Sequence, residues 1–489
     1  MPHSAKHPNG LYFLFFTEMW ERFSFYGITG ILVLYLSKGL SVPESEAGLV
    51  SGAYMAFTFL APILGGWVAD KLIGYVWAVT IGGILILAGN VVLSLPLDLN
   101  AVYLGLAIVA IGTGFLKSTV SVLVGQLYQP SDVRRDSAYT LFYMGINLGS
   151  ILAGLIIAYV AEMINWHYGF ALAAIGMAIG LCIFGYGYKK GYYSEKSNII
   201  KSANLRRRIG LFSGAIWLII GSIASIAIIF VLLSDPGNTK IVITAISFGL
   251  LFYIAFLAVR SHTSTERNQL LSILVFIITA VFFWSLYKQM FNSLALFIDK
   301  DIQRSVMGIT VPTSMFVLVP NAAFIIILAS IFAKIWIVLD RKGKSPSSPA
   351  KFLMGLFFSL ASFSTLALSA YLTYTTGTKS SMLWPLAGIF LLTCAELCIS
   401  PVGLSIVSKM SPPRLSGFLM GAWFLASSIG SYVSGLLSSL VKIPKGEIAV
   451  TVSAQAYFGL FYRCCIGMAI VIGIFILFLP VIKRLTGER

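Results

Sequence analysis

Of 489 residues, 58% are hydrophobic and only 11% carry charge, and the mean hydropathy is +0.90, well outside the range of soluble domains. That excludes a soluble enzyme. The formal net charge of +16 invites nucleic acid as a partner, but the placement of the basic residues along the chain, described below, argues against it.

Windows of about 20 apolar residues are long enough to cross a bilayer. Taken in chain order they fall at 11–37, 47–69, 74–96, 100–122, 139–161, 167–188, 209–233, 240–259, 270–297, 309–337, 351–373, 382–408, 416–441 and 457–482. The first run is too long for a signal-peptide core, carries three charges and lacks a small-residue cleavage site after it, so it is expected to be a mature helix. Of the Lys and Arg residues, about 23 fall in alternate loops and the termini on one side, about 7 on the other and about 4 within spans, the asymmetry of the positive-inside rule. Both termini are therefore expected in the cytoplasm of a multi-pass inner-membrane protein. The densest basic cluster, Lys189, Lys190, Lys196, Lys201 and Arg206 to Arg208, reads as a solvated cytoplasmic loop beside lipid, as does Arg341, Lys342 and Lys344.

The spans divide as six, two and six. This predicts an all-α membrane protein with an N-terminal six-helix bundle at 1–188, a basic linker at 189–208, an extra transmembrane hairpin at 209–259 and a C-terminal six-helix bundle at 260–489. The hairpin has no ionisable residue within its apolar runs and is expected at the periphery. Cys182, Cys394, Cys398, Cys464 and Cys465 lie in apolar spans without metal-ligand spacing and read as packing residues. His3, His7, His167 and His262 sit at the N-terminus or near span ends, so proton chemistry in the membrane falls to carboxylates. No nucleophile–base pair or metal cluster supports an enzyme.

Ionisable residues inside spans are costly and mark function. On the first span Glu18, Arg22, Phe25 and Thr29 recur at three to four residues with Glu21 and Tyr26 beside them, forming one broad face. Two acids and one base leave one carboxylate in surplus, able to exchange a proton; the bland alternative is a salt-bridge staple between helices. Lys117, Lys288 and Glu396 are the other intramembrane charges of note.

The segment Thr17 to Gly27, TEMWERFSFYG, closely resembles the ExxERFxYY signature of the proton-dependent oligopeptide transporters, a branch of the major facilitator superfamily. Gly65-Gly66-Trp67-Val68-Ala69-Asp70, Gly114-Phe115-Leu116-Lys117, Phe142 to Asn147, Glu396 to Ser405 and Trp423-Phe424-Leu425 follow in the family's order, so the resemblance covers nearly the whole chain, and the extra central pair is similar to that of bacterial members. The resemblance implies the major facilitator fold and alternating access. It implies proton coupling at Glu18, Glu21 and Arg22, and a Lys117–Glu396 pair acting as a gate. Substrate contacts are implied at Arg22, Tyr26, Lys117, Asn147, Glu396, Trp423 and Ser427. Asp70 resembles the superfamily loop motif, although Tyr75, Val76 and Trp77 stand where basic residues usually follow.

Several family positions differ. Phe25 and Phe59 replace tyrosines, Thr29 replaces an arginine, Lys288 replaces an acid, Ser118 and Thr119 replace Pro-Asn, and Pro320-Asn321 is out of register. An Arg–acid pair has thus become a single positive charge at Lys288. With Asn292 one turn on, Lys288 is expected to meet a substrate carboxylate or to pair with Glu18 or Glu21. The expected function is proton symport of di- and tripeptides or peptide-like solutes, by a chain that works as a monomer with membrane lipid around it, protons as coupling ion and no other cofactor. The alternatives are a symporter for a non-peptide organic anion or amino-acid derivative, and a non-transporting receptor.

Overall fold

The computed structural model describes residues 6–129, 132, 134–193, 208–209, 212–261, 263–412, 415–443 and 449–487. The basic stretch from Lys196 to Arg207 therefore lies outside the described residues, as do His3 and His262. Long helices follow the hydropathic spans in order: α1 (Asn9–Leu34), α2 (Glu44–Ile73), α3 (Tyr75–Ser94), α4 (Leu99–Gln126), α5 (Ser137–Met163), α6 (Trp166–Lys189) and α7 (Gly214–Ser234). After them come α8 (Pro236–Val259), α9 (Ser264–Asp301), α10 (Thr313–Arg341), α11 (Ser348–Thr376), α12 (Leu383–Met410), α13 (Ser416–Ser438) and α14 (Val450–Thr486). Thirteen of the described helices are long and apolar enough to cross a membrane; α1, with Glu18, Glu21 and Arg22 in its apolar run, makes the fourteenth. Strand pairing among the described residues is limited to two-residue ladders, such as Ile302–Gln303 beside Ser380–Ser381.

Helix starts carry the expected chemistry. Asp98 Oδ1 accepts from the Ala101 amide at 3.1 Å at the head of α4, Asn165 Oδ1 from the His167 amide at 2.8 Å at α6, and Thr263 Oγ1 from the Glu266 amide at 3.2 Å at α9. Each satisfies one of the orphan amides of a first turn. Gly74, between α2 and α3, has φ 80°, a conformation that a side chain disfavours. Tyr75 follows it and donates to Asp70 Oδ1 at 2.6 Å, so the aromatic residue takes the acid that a basic residue usually meets.

The chain divides into two compact units, one of Met1–Leu32 with Phe57–Asp235, the other of Val33–Ala56 with Pro236–Arg489. The division runs between α7 and α8, so each helix of the extra pair packs within a different unit, α7 on α4 and α8 on α9 and α13. Both are largely bare, with 17% of their apolar windows buried against 72% for α4, as a peripheral position requires. In lipid there is little hydrophobic drive between helices, and close packing of small residues takes over. In the first unit α3 and α4 approach so closely that a Cβ on Gly82 would meet Gly112 O at 2.7 Å and one on Gly89 would meet Gly105 O at 2.7 Å. In the second unit, Gly52 of the α2 segment meets Gly435 of α13 in the same way, Ser428 donates to Ala56 O at 2.7 Å, and Tyr457 donates to Glu44 Oε2 at 2.8 Å. Glu44 also pairs with Lys300, and Lys38 with Asp299 at 3.0 Å.

Candidate functional site

The first unit carries a buried charge cluster on α1. Glu18, Glu21 and Arg22 are 3%, 1% and 4% exposed. Arg22 Nε lies 2.8 Å from Glu18 Oε1 and equally 2.8 Å from Glu21 Oε2. One N–H cannot serve both well, and its hydrogen bond goes to Glu18. Neither oxygen of Glu21 has a hydrogen-bond partner among the described residues, so Glu21 is held by charge alone. Of the two acids on α1, Glu21 is thus the one without a hydrogen bond among the described residues.

Phe25 and Phe59, which the sequence reading counts as lost polar contacts, have a positive role. Their rings meet edge to face with centroids 6.4 Å apart. Arg22 lies over Phe25 at 5.3 Å, while the Lys117 ammonium sits 3.7 Å from the Phe59 centroid and 5.6 Å from that of Phe25. An aromatic face holds a cation without neutralising it. The charge of Lys117 also reaches Glu21. Thr29, by contrast, is 1% exposed and turns its hydroxyl back to Phe25 O at 2.8 Å; where the family has an arginine it makes no hydrogen bond beyond its own helix among the described residues. Asn147 donates to Tyr143 O one turn back on α5 at 3.0 Å.

Glycine sets how near α5 comes to this cluster. A Cβ on Gly149 would collide with Met19 O and lie 2.9 Å from Arg22 Cβ and 3.0 Å from Phe23 N. Gly149→Val is expected to cost about 1–3 kcal/mol, the usual range for overpacking, and to move Arg22, because the atoms in the way are largely backbone. A melting temperature equal to the parent's would show that α5 yields freely there.

In the second unit, α9 breaks at a 3₁₀ turn, Lys288–Phe291, between Ser264–Tyr287 and Ser293–Asp301. A 3₁₀ segment inside a long helix commonly marks a functional hinge. The turn is fastened to α13: Gln289 Nε2 donates to Ser434 O at 3.0 Å and Asn292 Nδ2 to Ser434 Oγ at 2.8 Å. Asn292, fully buried, thus serves the packing of the break. Around Glu396 of α12 gather residues the sequence reading did not place in the site. Tyr287 donates to Asn321 Oδ1 at 3.2 Å and Asn321 Nδ2 to Thr393 Oγ1 at 3.0 Å, and both Tyr287 and Asn321 lie within hydrogen-bonding reach of the Glu396 carboxylate. Their signal was faint, since polar residues in a membrane helix usually just join helices. Trp423 is 3% exposed, its ring occupying the space that a Cβ on Gly403 would take. Glu396 Oε2, Ser427 Oγ and Trp284 Nε1 are buried with no hydrogen-bond partner among the described residues, the condition in which a polar atom calls for a functional explanation.

Comparison with known proteins agrees with these features. A model of the POT family matches residues 76–454. The chain belongs to the POT family. Among its relatives in that family, the peptide transporter YePEPT of Yersinia enterocolitica is 35% identical over 99% of this chain and 96% of its own length. A di-/tripeptide transporter of Lactococcus lactis subsp. cremoris is 32% identical over 99% of this chain and 97% of its own. A crystal structure of a peptide transporter POT in complex with sulfate has a TM-score of 0.86 at 31% identity, covering 98% of this chain and 96% of that one. A POT family transporter in complex with 5-aminolevulinic acid has a TM-score of 0.83 at 26% identity, covering 98% and 97%. The all-α major facilitator architecture with an extra central pair is therefore that of a POT family member.

Proposed function

We propose that the chain is a proton-coupled symporter that imports small peptides or peptide-like solutes across the inner membrane by alternating access, with both termini in the cytoplasm, protons as its coupling ion and the monomer as its working unit. The observation that carries the reading is the α1 cluster, in which Glu21, buried and held without a hydrogen bond, leaves one carboxylate over for a proton. An idle membrane protein has no need to keep such charges in lipid. Relatives named as peptide transporters support the substrate class. In this reading, as the family resemblance implies, Arg22 and Lys117 supply positive charge for a substrate carboxylate; Glu396 Oε2, Ser427 Oγ and Trp284 Nε1, within the second unit, are polar atoms without a hydrogen bond among the described residues. Tyr26 and Trp423 add aromatic surface.

A second reading, a symporter for an amino-acid derivative or organic anion, is favoured by Phe25, Phe59 and Thr29, which remove polar contacts a peptide backbone uses. Purified protein in liposomes with an inward proton gradient and a negative interior decides between them. Accumulation of labelled dialanine or trialanine, abolished by a protonophore, is the expected result. Accumulation of 5-aminolevulinic acid with none of either peptide would establish the second reading, and no gradient-driven uptake of any of these would overturn proton-coupled transport of both classes.

A further inference from the structure

The extra helix α7 does not lie flush against the first unit. It rests on α4, and beside it runs a groove of about 410 Å³ whose walls include Leu64, Trp67 and Leu72 of α2, Phe115 of α4, and Trp217 and Gly221 of α7. The floor is closed where α2 and α4 meet, a Cβ on Gly114 coming within 2.7 Å of Ala61 Cβ. The mouth is open, with Leu64 62% and Trp67 57% exposed.

Length, aromatic placement and charge together select what fits. Along α2 the groove runs from Ala61 to Leu72, roughly 16 Å at the helical rise per residue. That is one half of a hydrocarbon core about 30 Å thick, the depth of a single leaflet. Trp67 stands near the close of α2 and Trp217 in the first turn of α7, so both mark the same end, as an aromatic belt marks the edge of the hydrocarbon. Beyond that belt the rim is basic. Lys71 lies one turn past Trp67 and is exposed, and backbone pairing of Arg208 with Ser213 holds the end of the basic linker at the head of α7. Asp70, the acid at this rim, accepts from the Tyr75 hydroxyl at 2.6 Å. A basic rim over an apolar slot one leaflet deep is complementary to a lipid whose headgroup is negative.

We infer that the groove between α2, α4 and α7 binds an anionic phospholipid, with one acyl chain in the groove and the phosphate at the Lys71 rim. The lipid then completes the packing of a helix that the protein alone covers poorly. The inference rests on the transport reading only for the side of the membrane, since cytoplasmic termini put this rim in the cytoplasmic leaflet.

The test reads lipid binding and needs no transport, so its failure is distinct from failure of the transport reading. Purified full-length protein in mild detergent is melted with increasing phosphatidylglycerol or with phosphatidylcholine of the same acyl chains. A ligand bound by the folded state alone raises the melting temperature by mass action. The expected result is a rise of several degrees, reached at about tenfold less phosphatidylglycerol than phosphatidylcholine, each tenfold corresponding to about 1.4 kcal/mol. Gly221→Phe fills the groove from α7, where an added Cβ meets nothing within 4 Å; it is expected to melt at or above the parent and to lose the response. Gly249→Phe on α8, equally open and away from the groove, is expected to keep it. Lys71→Gln is expected to respond equally to the two lipids. A full response in Gly221→Phe overturns the site, and equal potency of the two lipids on the parent overturns the anionic headgroup. A parent dimer that Gly221→Phe makes monomeric, with no response to either lipid, would put a second copy of the chain in the groove instead. Should Gly221→Phe not fold, phosphatidylglycerol with brominated acyl chains decides: the part of the fluorescence quenching that disappears in Trp217→Phe must exceed that obtained with brominated phosphatidylcholine, and equality overturns the proposal.

Discussion

Glu21→Gln protein is expected to lose all gradient-driven accumulation, its inside-to-outside substrate ratio falling to one, while exchange of labelled for unlabelled substrate across the membrane continues. Glutamine keeps the shape of the side chain and removes its ability to carry a proton. The geometry selects Glu21 over Glu18 for this role. Both acids stand 2.8 Å from Arg22 Nε, but the guanidinium hydrogen bond belongs to Glu18, and a charge-assisted bond of that kind anchors a carboxylate more firmly than charge attraction without one. Glu18 is thereby committed to Arg22. Glu21, 1% exposed, has Oε2 in ionic contact with Arg22 but neither oxygen hydrogen-bonded among the described residues when a proton arrives. Exchange involves no net proton movement and so has no need of that site. Counterflow and accumulation are measured in the same liposome preparation, and normal accumulation by the variant would remove Glu21 from the coupling scheme.

Much of this molecule was readable before any coordinates. A membrane helix must be apolar and must close its own hydrogen bonds, so length and hydropathy located the helices, and α9 and α14 merely extend a few residues beyond their apolar runs. The α1 cluster was legible for the related reason that charge in lipid is rare. What resisted reading is what depends on approach between distant segments. That Val33–Ala56 packs with the second unit follows from Gly48 and Gly52 meeting Ser438 and Gly435, and two glycines in an apolar run give no hint of their partner. The break in α9 is carried by Lys288-Gln289-Met290-Phe291, which has neither Pro nor Gly to announce it; it is held by Ser434, far along the chain. Phe25 and Phe59 were counted as losses because a tyrosine hydroxyl is conspicuous by comparison, whereas the gain is a face for Lys117. Lys288 was expected to meet a substrate or the α1 acids, and nothing in a linear sequence says that Trp284, Tyr287 and Phe291 turn their rings toward it.

The other large effect is expected at Arg22, the residue on which the α1 cluster depends for stability as well as for chemistry. Replacing it with methionine preserves length and apolar packing but leaves Glu18 and Glu21 side by side in the interior with Lys117 as the remaining cation acting on Glu21. Removing one partner of a buried ion pair costs about 3–5 kcal/mol, because the other charge stays behind without compensation, and here two charges stay behind. Arg22→Met is therefore expected to melt well below the parent and to lose transport. The decisive comparison is with Arg22→Met/Glu18→Gln: if the loss comes from uncompensated carboxylates, taking one of them away must restore most of the melting temperature. Arg22→Lys is expected to fall between, since an ammonium supplies the charge without the planar fork that spans two acids, and it surrenders the contact of the guanidinium with the Phe25 ring. Melting at the parent temperature in Arg22→Met, or a double variant no more stable than the single, would mean that the two acids are not held by Arg22 in the folded state. The assignment of Glu21 as the surplus carboxylate would then fall with it, because that assignment depends on Glu18 having first claim on the guanidinium.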